Sequence, residues 1–383
     1  MKLREIRVHL LDLTLRVPFT TSFGTYRTLP RPFVVIETAD GRRGVGEVPT
    51  LLDPAYKAEC DTPAVLTSLR EFLLPSVAKA HAARGEIRGV DDLRDASDWV
   101  KGAVFAKSGI EAAFWDLTAQ AEGKPLWRLW GGDRRSFPVG VSIGGKTLDD
   151  VLRLADNAVG LGYRRLKVKI WPGFDEEPAR VLRERFPDVL LQVDANSAYT
   201  IENWSRLKAL DPYDLLLIEQ PLYDDDIVLH SEIAKELRTP VCLDESIHSL
   251  RDTRAAMRLW ERNDALDRLV VNIKPPRVSG YREAIAIAKA CDERRVRTWI
   301  GGMLDSSWGK AMNLSLNSLN AVHLPGDHFS PSGAYFERDV TLEPLVAKDG
   351  AFTLGNGVST GLTFDWDFLE QSAPVVAKVD LRA

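Results

Sequence analysis

The chain has 383 residues, of which 45% are hydrophobic and 27% charged, a balance typical of a folded globular protein rather than a disordered one. Its 50 Lys and Arg residues against 55 Asp and Glu give a net charge of −5 without long runs of one sign, so we expect no nucleic-acid partner and no membrane partner. Three widely spaced cysteines argue against a disulfide framework, and the charged N-terminus argues against a signal peptide. These features predict a cytoplasmic protein.

The first 125 residues predict a small α+β domain. Leu3–Arg16 alternates apolar and polar residues, Phe33–Thr38 is typical of a second strand, and Gly41–Gly46 carries turn residues between strands. Helical patterns follow in Pro63–Ala80 and Gly109–Ala121. We therefore expect a short β-meander joined to helices, forming a domain that covers the rest of the chain.

A repeated theme of a short apolar run, a turn and a helical stretch begins near residue 137. Strands that alternate with helices predict parallel βαβ units, and eight runs favour a closed α/β barrel (a TIM-type barrel) over an open doubly wound sheet. We assign residues 126–330 to this barrel and residues 331–383 to a tail that returns to the N-terminal domain. The eight runs are Phe137–Ile143, Arg165–Ile170, Val189–Asp194, Asp214–Glu219, Pro240–Glu245, Arg268–Lys274, Val296–Met303 and Asn320–Leu324.

Three of these runs end in a carboxylate at matching positions. Asp194, Glu219 and Asp244 follow one another at intervals of 25 residues, one βα unit per step. Such spacing predicts that the three acids meet at the barrel end where active sites lie. Acids after strands also cap helices, which is the alternative interpretation. Converging carboxylates without Cys or His favour a hard divalent cation such as Mg²⁺ or Mn²⁺.

Lysines flank this acidic group on the neighbouring strands. Lys167 and Lys169 are two residues apart on one strand, so their side chains point to the same face. Lys274 ends the sixth run, 30 residues after Asp244. We expect repulsion between the paired ammonium groups to lower their pKa values, and we expect Lys169 and Lys274 to face each other across the barrel mouth.

This arrangement suits removal of a proton from the carbon next to a carboxylate. The enediolate that results carries its negative charge on the former carboxylate oxygens, where a divalent cation and an ammonium group stabilise it. One of Lys169 and Lys274 then acts as the general base and the other as the acid.

The motifs that carry this chemistry resemble the enolase superfamily, in its muconate-lactonizing-enzyme subgroup. Three further features resemble its o-succinylbenzoate synthase / N-succinylamino acid racemase branch: Thr21–Gly24 in the capping loop, Arg277 three residues after Lys274, and Leu324–Asp327. The superfamily motifs are Lys107–Leu117, Lys167–Lys169, Asp194–Asn196, Ile218–Pro221, Leu243–Ser246, Asn272–Lys274 and Gly301–Leu304.

The resemblance implies a (β/α)₇β barrel with a capping domain, assembled as a homo-oligomer from dimer to octamer. It implies Asp194, Glu219 and Asp244 as ligands of Mg²⁺ or Mn²⁺, and Lys167 as an electrostatic helper of the two catalytic lysines. It also implies racemisation of N-acylamino acids, dehydration to o-succinylbenzoate, or both. The substrate would be a small carboxylate, and we expect it to contact Phe23, Tyr56, Ser142, Asn196, Arg277, Gly302, Met303 and Asp305.

Two positions depart from the pattern of the branch. Asp305 stands where relatives commonly have Glu, and Pro275-Pro276 follows Lys274 where relatives have other small or apolar residues. The catalytic set is unaffected, so the departures concern the shape of the pocket and the choice of substrate.

Other functions fit the sequence less well. Residues 140–147 match the P-loop pattern G-x-x-x-x-G-K-T, but the first glycine falls inside a predicted strand rather than in a phosphate-binding loop. The seventh run has no histidine, which disfavours relatives that use a histidine base there. Dipeptide epimerisation, muconate cycloisomerisation and a non-catalytic binding barrel remain as alternatives.

Overall fold

The computed structural model describes residues 1–20, 24–331 and 333–382. Its N-terminal part has three strands followed by helices, and a π-helical turn at Ser68–Leu73 joins the first two helices. The strands are β1 (Leu3–Thr20), β2 (Thr25–Thr38) and β3 (Arg43–Glu47). The helices are α1 (Thr62–Thr67), α2 (Leu74–Arg84), α3 (Val90–Ser97), α4 (Val104–Glu122) and α5 (Leu126–Leu129).

The three N-terminal strands form the expected antiparallel meander, with β2 between β1 and β3. Helix α4 packs directly on β3, because Gly44 and Gly46 leave no side chain between the two backbones. A Cβ atom at either glycine would overlap the α4 backbone. Asp116 of α4 accepts a hydrogen bond from the backbone N–H of Val45 at 2.9 Å, which fixes the helix on the strand.

Parallel strands and intervening helices make up the second part of the chain. The third connection is a 3₁₀-helix, Trp204–Tyr213, rather than an α-helix. The strands are β4 (Ser136–Pro138), β5 (Val141–Ile143), β6 (Arg165–Lys169), β7 (Leu190–Asp194), β8 (Ile218–Glu219), β9 (Val241–Leu243), β10 (Leu269–Ile273) and β11 (Arg297–Ile300). The helices are α6 (Leu148–Gly160), α7 (Glu176–Arg185), α8 (Ile227–Glu236), α9 (Leu250–Arg262), α10 (Tyr281–Glu293) and α11 (Ser307–Leu316). Short 3₁₀ turns at Leu266–Arg268 and Pro275–Val278 flank β10.

Strands β5 to β11 form one parallel sheet in sequence order, as the barrel prediction requires. The segment 323–329 joins the two edges of this sheet. Leu324 donates its backbone N–H to Thr298 on β11 at 3.0 Å, Gly140 donates to Gly326 at 2.6 Å, and Phe329 bridges to Val141 on β5. The architecture is therefore the modified TIM barrel of the (β/α)₇β type.

The two ends of the barrel differ from the predicted runs. The first run divides into β4 and β5, because Phe137 pairs with a strand of the tail rather than with the barrel sheet. The eighth run, Asn320–Leu324, was wrong as a strand: Asn320 belongs to a turn after α11. The segment 323–329 closes the barrel through isolated bonds and not through a regular ladder.

Side chains on the barrel strands alternate between two environments. Outward residues such as Val168 and Ile218 join the main hydrophobic core under the helices. Inward residues at the lower end form a small separate cluster of Leu217, Cys242, Val270 and Trp299. Polar inward residues lie next along these strands, so the apolar cluster forms the floor of the site.

The tail contains β12 (Ala351–Thr353), α12 (Trp366–Ser372) and β13 (Val375–Asp380). Strand β12 pairs with β4, and β13 pairs antiparallel with β1 at the edge of the N-terminal sheet. The domain limits at residues 125 and 330 stay a prediction. Within the described residues, no helix has both the length and the apolar character needed to span a bilayer.

Candidate active site

The three acids expected as metal ligands stand at the carboxyl ends of neighbouring strands. Asp194 ends β7, Glu219 ends β8 and Asp244 follows β9 directly. Asp194 and Glu219 are paired in the parallel register, and all three side chains are buried. Carboxylates buried this deeply require compensating positive charge or hydrogen bonds.

Asp194 lies beside two lysines of the adjacent strand β6. Its Oδ2 is 2.7 Å from Lys169 Nζ and 3.1 Å from Lys167 Nζ. Lys169 also donates to Asn196 Oδ1 at 2.6 Å, and Asn196 donates to Glu245 Oε1 at 2.9 Å. Burial opposes ionisation of Asp194, but the two ammonium groups hold its pKa below the ordinary value.

Glu219 is held mainly by neutral amides. Gln192 donates to its Oε2 at 2.6 Å and Asn272 to its Oε1 at 2.8 Å, while Lys167 Nζ lies 3.2 Å from Oε2. Burial, together with the negative charge of Asp194, raises the pKa of Glu219 to about 7. The side-chain amides of Gln192 and Asn272 therefore orient the Glu219 carboxylate, as a metal ligand would require, but they do not neutralise its negative charge.

Asp244 connects the barrel to the capping part of the chain. Lys274 Nζ is 2.9 Å from its Oδ2, Arg277 pairs with its Oδ1, and the Tyr56 hydroxyl lies 3.3 Å from both oxygens. Tyr56 also accepts a hydrogen bond from Lys274 at 3.1 Å and one from Arg277 at 2.9 Å. Tyr56 therefore contacts the candidate catalytic lysine directly, beyond the closing role expected from the sequence.

Arg277 does not line the pocket that holds the two lysines, and its expected contact with the substrate stays a prediction. Its side chain is fully buried, and its remaining donors bind the carbonyls of Ile247 at 2.7 Å and Asn272 at 2.6 Å. Four of the five guanidinium N–H groups are therefore accounted for by protein acceptors. Its contacts are those of a residue that positions Asp244 and Tyr56.

The expectation of a lowered lysine pKa was wrong for Lys167. Burial lowers the pKa of this ammonium, but the carboxylates of Asp327, Glu219 and Asp194 outweigh burial and raise it well above its ordinary value. Asp327 lies 2.7 Å from Lys167 Nζ. The prediction considered only the repulsion from Lys169 and missed a carboxylate that arrives from the eighth strand position.

One pocket collects most of the predicted site residues. Both Lys169 and Lys274 line it, and the capping part of the chain contributes one wall. The three acids and Arg277 do not line the pocket, and Phe23 falls outside the described residues. The predicted residues that line the pocket are Tyr56, Ser142, Lys167, Lys169, Asn196, Lys274, Gly302, Met303 and Asp305.

The donor set of the three acids is suited to a divalent cation. No group of three His, Cys, Asp or Glu side chains among the described residues is arranged as a ready metal site, because Asp194 and Asp244 turn oxygens toward lysines. Six carboxylate oxygens from adjacent strand ends nevertheless match the preference of Mg²⁺ and Mn²⁺. Glu245 Oε2, buried without a hydrogen-bond partner, adds a further unsatisfied oxygen beside them. These residues fit a hard cation.

Several site residues were not predicted from the sequence. Gln192 and Asn272 orient Glu219, and both occupy inward positions two residues before an assigned residue, so strand alternation offered a signal. Asp327 was noted only as part of a motif. His328, which follows it, also lines the pocket, and nothing in its spacing to other residues indicated this.

A buried ion pair from the N-terminal sheet holds the loop after β11. Arg31 Nη2 donates to the carbonyls of Met303 and Leu304, each at 2.9 Å, and Arg31 Nε lies 3.3 Å from Glu47. Glu47 in turn accepts hydrogen bonds from the backbone and hydroxyl of Ser306 at 3.1 and 2.6 Å. One wall of the pocket is therefore fixed by the capping sheet.

Comparison with known proteins gives matches across the whole chain. Residues 4–131 match the family model of the mandelate racemase / muconate lactonizing enzyme N-terminal domain, and residues 150–368 match the enolase C-terminal domain-like model. An o-succinylbenzoate synthase of Geobacillus kaustophilus is 40% identical over 361 residues, covering 93% of this chain and 92% of the relative.

Two further matches agree with these. An N-succinylamino acid racemase of Amycolatopsis is 38% identical over 371 residues, covering 94% of this chain and 95% of the relative. The crystal structure of an enolase superfamily member from Listeria innocua superposes with a TM-score of 0.91 at 31% identity, covering 100% of both chains. By sequence and by fold, the chain belongs to the mandelate racemase / muconate lactonizing enzyme family of the enolase superfamily.

Proposed function

We propose that the protein removes the α-proton of an N-acylamino acid, with N-succinylamino acids as the leading substrates, and returns a proton to give the racemic product. The observation that carries this proposal is the shared pocket, where Lys169 of β6 and Lys274 after β10 reach one cavity from well-separated strands. A single lysine can only exchange a proton on one face of a carbon, whereas two lysines on opposite faces can invert it.

Each lysine has partners that determine where its amine points. Lys169 is directed by Asp194 and Asn196, and Lys274 by Asp244 and Tyr56. In the proposed reaction, the neutral amine of one lysine takes the α-proton, and the ammonium of the other delivers a proton to the opposite face. Lys167, paired with Asp327, stays charged and contributes positive potential at the developing enediolate.

Enzymes of the enolase superfamily generally depend on a divalent metal ion. We propose that Asp194, Glu219 and Asp244 would hold Mg²⁺ or Mn²⁺. Such a cation, when bound, neutralises these carboxylates, which favours loss of the lysine protons, and stabilises negative charge on the substrate carboxylate.

Dehydration to o-succinylbenzoate is the second candidate activity, and it is favoured by relatives such as the Geobacillus kaustophilus enzyme of that name. It requires the same first step, removal of a proton next to a carboxylate, followed by loss of water. One lysine can serve as base and then as acid. The two activities therefore use the same residues, and they differ in which substrate the pocket accommodates.

The cellular compartment and the oligomeric state of the enzyme are also proposals. We propose a cytoplasmic homo-oligomer of two to eight subunits, since the three cysteines of the described chain are free and buried, and the resemblance implies assembly. The proposed reaction requires one partner, the small carboxylate substrate.

Incubation of the protein with N-succinyl-L-amino acids in D₂O tests the proposal, with the α-proton followed by NMR and optical rotation by polarimetry. We expect exchange of the α-proton and loss of optical rotation, both abolished by EDTA and restored by added Mg²⁺ or Mn²⁺. A parallel incubation with dipeptides and with the precursor of o-succinylbenzoate ranks the alternatives. Absence of exchange with every N-acylamino acid would overturn the proposal.

A further inference from the structure

The imidazole of His328 is a buried polar group that the proposed chemistry does not use. The residue is 1% exposed, it lines the active-site pocket, and both ring nitrogens lack a hydrogen-bond partner among the described residues. A buried polar group without a partner costs about 1–3 kcal/mol. An unsatisfied imidazole at the wall of a substrate pocket is explained if a bound molecule supplies the missing partner.

A second unsatisfied group lies on the neighbouring strand. Ser142 of β5 is buried, lines the same pocket, and its hydroxyl also lacks a partner in the described structure. The bridge between Val141 and Phe329 sets these two segments side by side, and both bridging residues belong to the outer hydrophobic core. Ser142 and His328, each next to a core residue, therefore face the interior together.

Asp305 completes this group from the loop after β11. Its carboxylate is buried and has no ion-pair partner in the described chain, and its Oδ2 accepts a hydrogen bond from the backbone of Met303 at 2.9 Å. A Cβ atom built on Gly302 would stand 3.2 Å from Asp305 Oδ2 and 3.5 Å from His328 Nδ1. The glycine thus leaves a gap that both polar groups border.

These three side chains offer a defined set of donors and acceptors. Burial lowers the pKa of His328 to about 4, so its ring is neutral at physiological pH and carries one N–H donor and one acceptor nitrogen. Asp305 is an acceptor, and the Ser142 hydroxyl can both donate and accept. A group that donates to Asp305 while accepting from His328 matches this set, and a primary carboxamide has that pattern.

We propose that Ser142, Asp305 and His328 form a polar corner that selects substrates carrying a carboxamide, or another group that both donates and accepts hydrogen bonds, over substrates with an aliphatic group of the same shape. The inference rests on the proposed α-proton chemistry and names the substrate class of that same pocket. The group recognised belongs either to the amino-acid side chain or to the acyl arm. A free carboxylate in this corner is disfavoured because Asp305 repels it, so the terminal carboxylate of an N-succinyl substrate would lie outside the corner.

Two series of isosteric substrates test the polar corner and show which substituent of the substrate enters it. In the first, N-succinyl derivatives of asparagine, leucine and aspartate vary the side chain. In the second, succinamoyl, 4-methylpentanoyl and succinyl arms on alanine vary the acyl group. We expect kcat/KM for the carboxamide to exceed that of its aliphatic isostere by about tenfold in one series, and the series that discriminates tells which substituent enters the corner.

The variant His328→Leu should reduce that ratio to near one, while circular dichroism reports whether the protein is folded. Met303→Leu is the matched control, because it alters the same pocket without removing a hydrogen-bonding group, and it should leave the ratio unchanged. If His328→Leu does not fold, the kcat/KM ratios of carboxamide to aliphatic substrate, measured with the wild-type enzyme, test the proposal. Equal kcat/KM values within both series would overturn the polar corner, whereas absence of exchange with all substrates would overturn the proposed function itself.

Discussion

The amine of Lys274 lies 3.1 Å from the hydroxyl of Tyr56, so a residue of the capping part of the chain touches a candidate catalytic base of the barrel. The same hydroxyl contacts both oxygens of Asp244 and accepts a hydrogen bond from Arg277. The orientation of the Lys274 amine therefore depends on how the capping part is seated. Lys169 has no equivalent contact in the described chain, since its partners Asp194 and Asn196 both belong to the barrel.

Substitution Tyr56→Phe should therefore affect the two lysines unequally. Loss of a hydrogen bond to a charged group corresponds to about 1.5–3 kcal/mol, so we expect proton exchange through Lys274 to fall by about tenfold or more, and exchange through Lys169 to change less. Exchange rates of the separate L and D substrates in D₂O measure this asymmetry. Tyr26→Phe, which removes another hydroxyl lining the pocket, is the control. An equal loss for both enantiomers would contradict the asymmetric role.

Removing the negative charge of Asp327 should destabilise the fold. Asp327 lies 2.7 Å from Lys167 in a buried pair, and breaking such a pair leaves an uncompensated charge at a cost of about 3–5 kcal/mol. We expect Asp327→Asn to lower the free energy of unfolding, measured by urea denaturation, by about 3–5 kcal/mol. Asp91→Asn, which breaks a pair with Arg282 at the exposed surface, should cost about 0–1 kcal/mol. Similar losses for the two variants would contradict the stabilising role of the buried pair between Asp327 and Lys167.

The contact of Arg31 with the loop after β11 predicts an effect on both stability and substrate binding. Arg31→Met leaves Glu47 without its buried partner and frees the carbonyls of Met303 and Leu304. We expect a loss of about 3–5 kcal/mol in unfolding free energy, and a raised KM because Met303 lines the pocket. Arg294→Met, at an exposed pair with Glu261, serves as control. An unchanged KM in a folded Arg31→Met protein would show that the Arg31–Glu47 pair does not affect substrate binding.

A partly buried carboxyl in α4 predicts a pH dependence of stability. Burial raises the pKa of Glu111 from its ordinary value of 4.5 to about 7, although its carboxylate accepts hydrogen bonds from the Arg282 backbone and Trp115. A pKa raised by folding stabilises the fold fully below pH 4.5, and this contribution is lost as the pH rises through 7.

The variant Glu111→Gln should remove that pH dependence. We expect the unfolding free energy of the variant, relative to wild type, to increase between pH 5 and pH 8, measured by urea denaturation at each pH. Glu122→Gln, at the exposed end of the same helix, controls for the loss of a surface charge. A difference that stays constant across this range would rule out Glu111 as the titrating group.

Strand spacing predicted the central part of the site well. Because parallel strand ends share one edge of a barrel, the intervals between Asp194, Glu219 and Asp244 were enough to bring them together, and alternation oriented Lys167 with Lys169. The predicted helical stretch Gly109–Ala121 is also observed, as part of the longer helix α4. These successes depend on regular periodicity, which the sequence carries locally.

Features that depend on irregular segments were not predictable in this way. Asp327 and His328 lie in a closing segment without a regular ladder, so alternation gave no guide to their direction. The seating of Tyr56 against Lys274 joins residues 218 positions apart, and it depends on the packing of two parts of the chain. The pKa of Lys167 required the carboxylates around it, not only its neighbour on the strand.

The proposed racemisation requires Lys169 and Lys274 to serve opposite faces of one α-carbon. Its most direct test measures α-proton exchange in D₂O for each enantiomer of one N-succinylamino acid, with Lys169→Ala and Lys274→Ala beside the wild-type enzyme. We expect that neither variant racemises the substrate and that any residual exchange is confined to one enantiomer, which differs between the two variants. Racemisation by either variant, or residual exchange of the same enantiomer by both, would contradict this requirement.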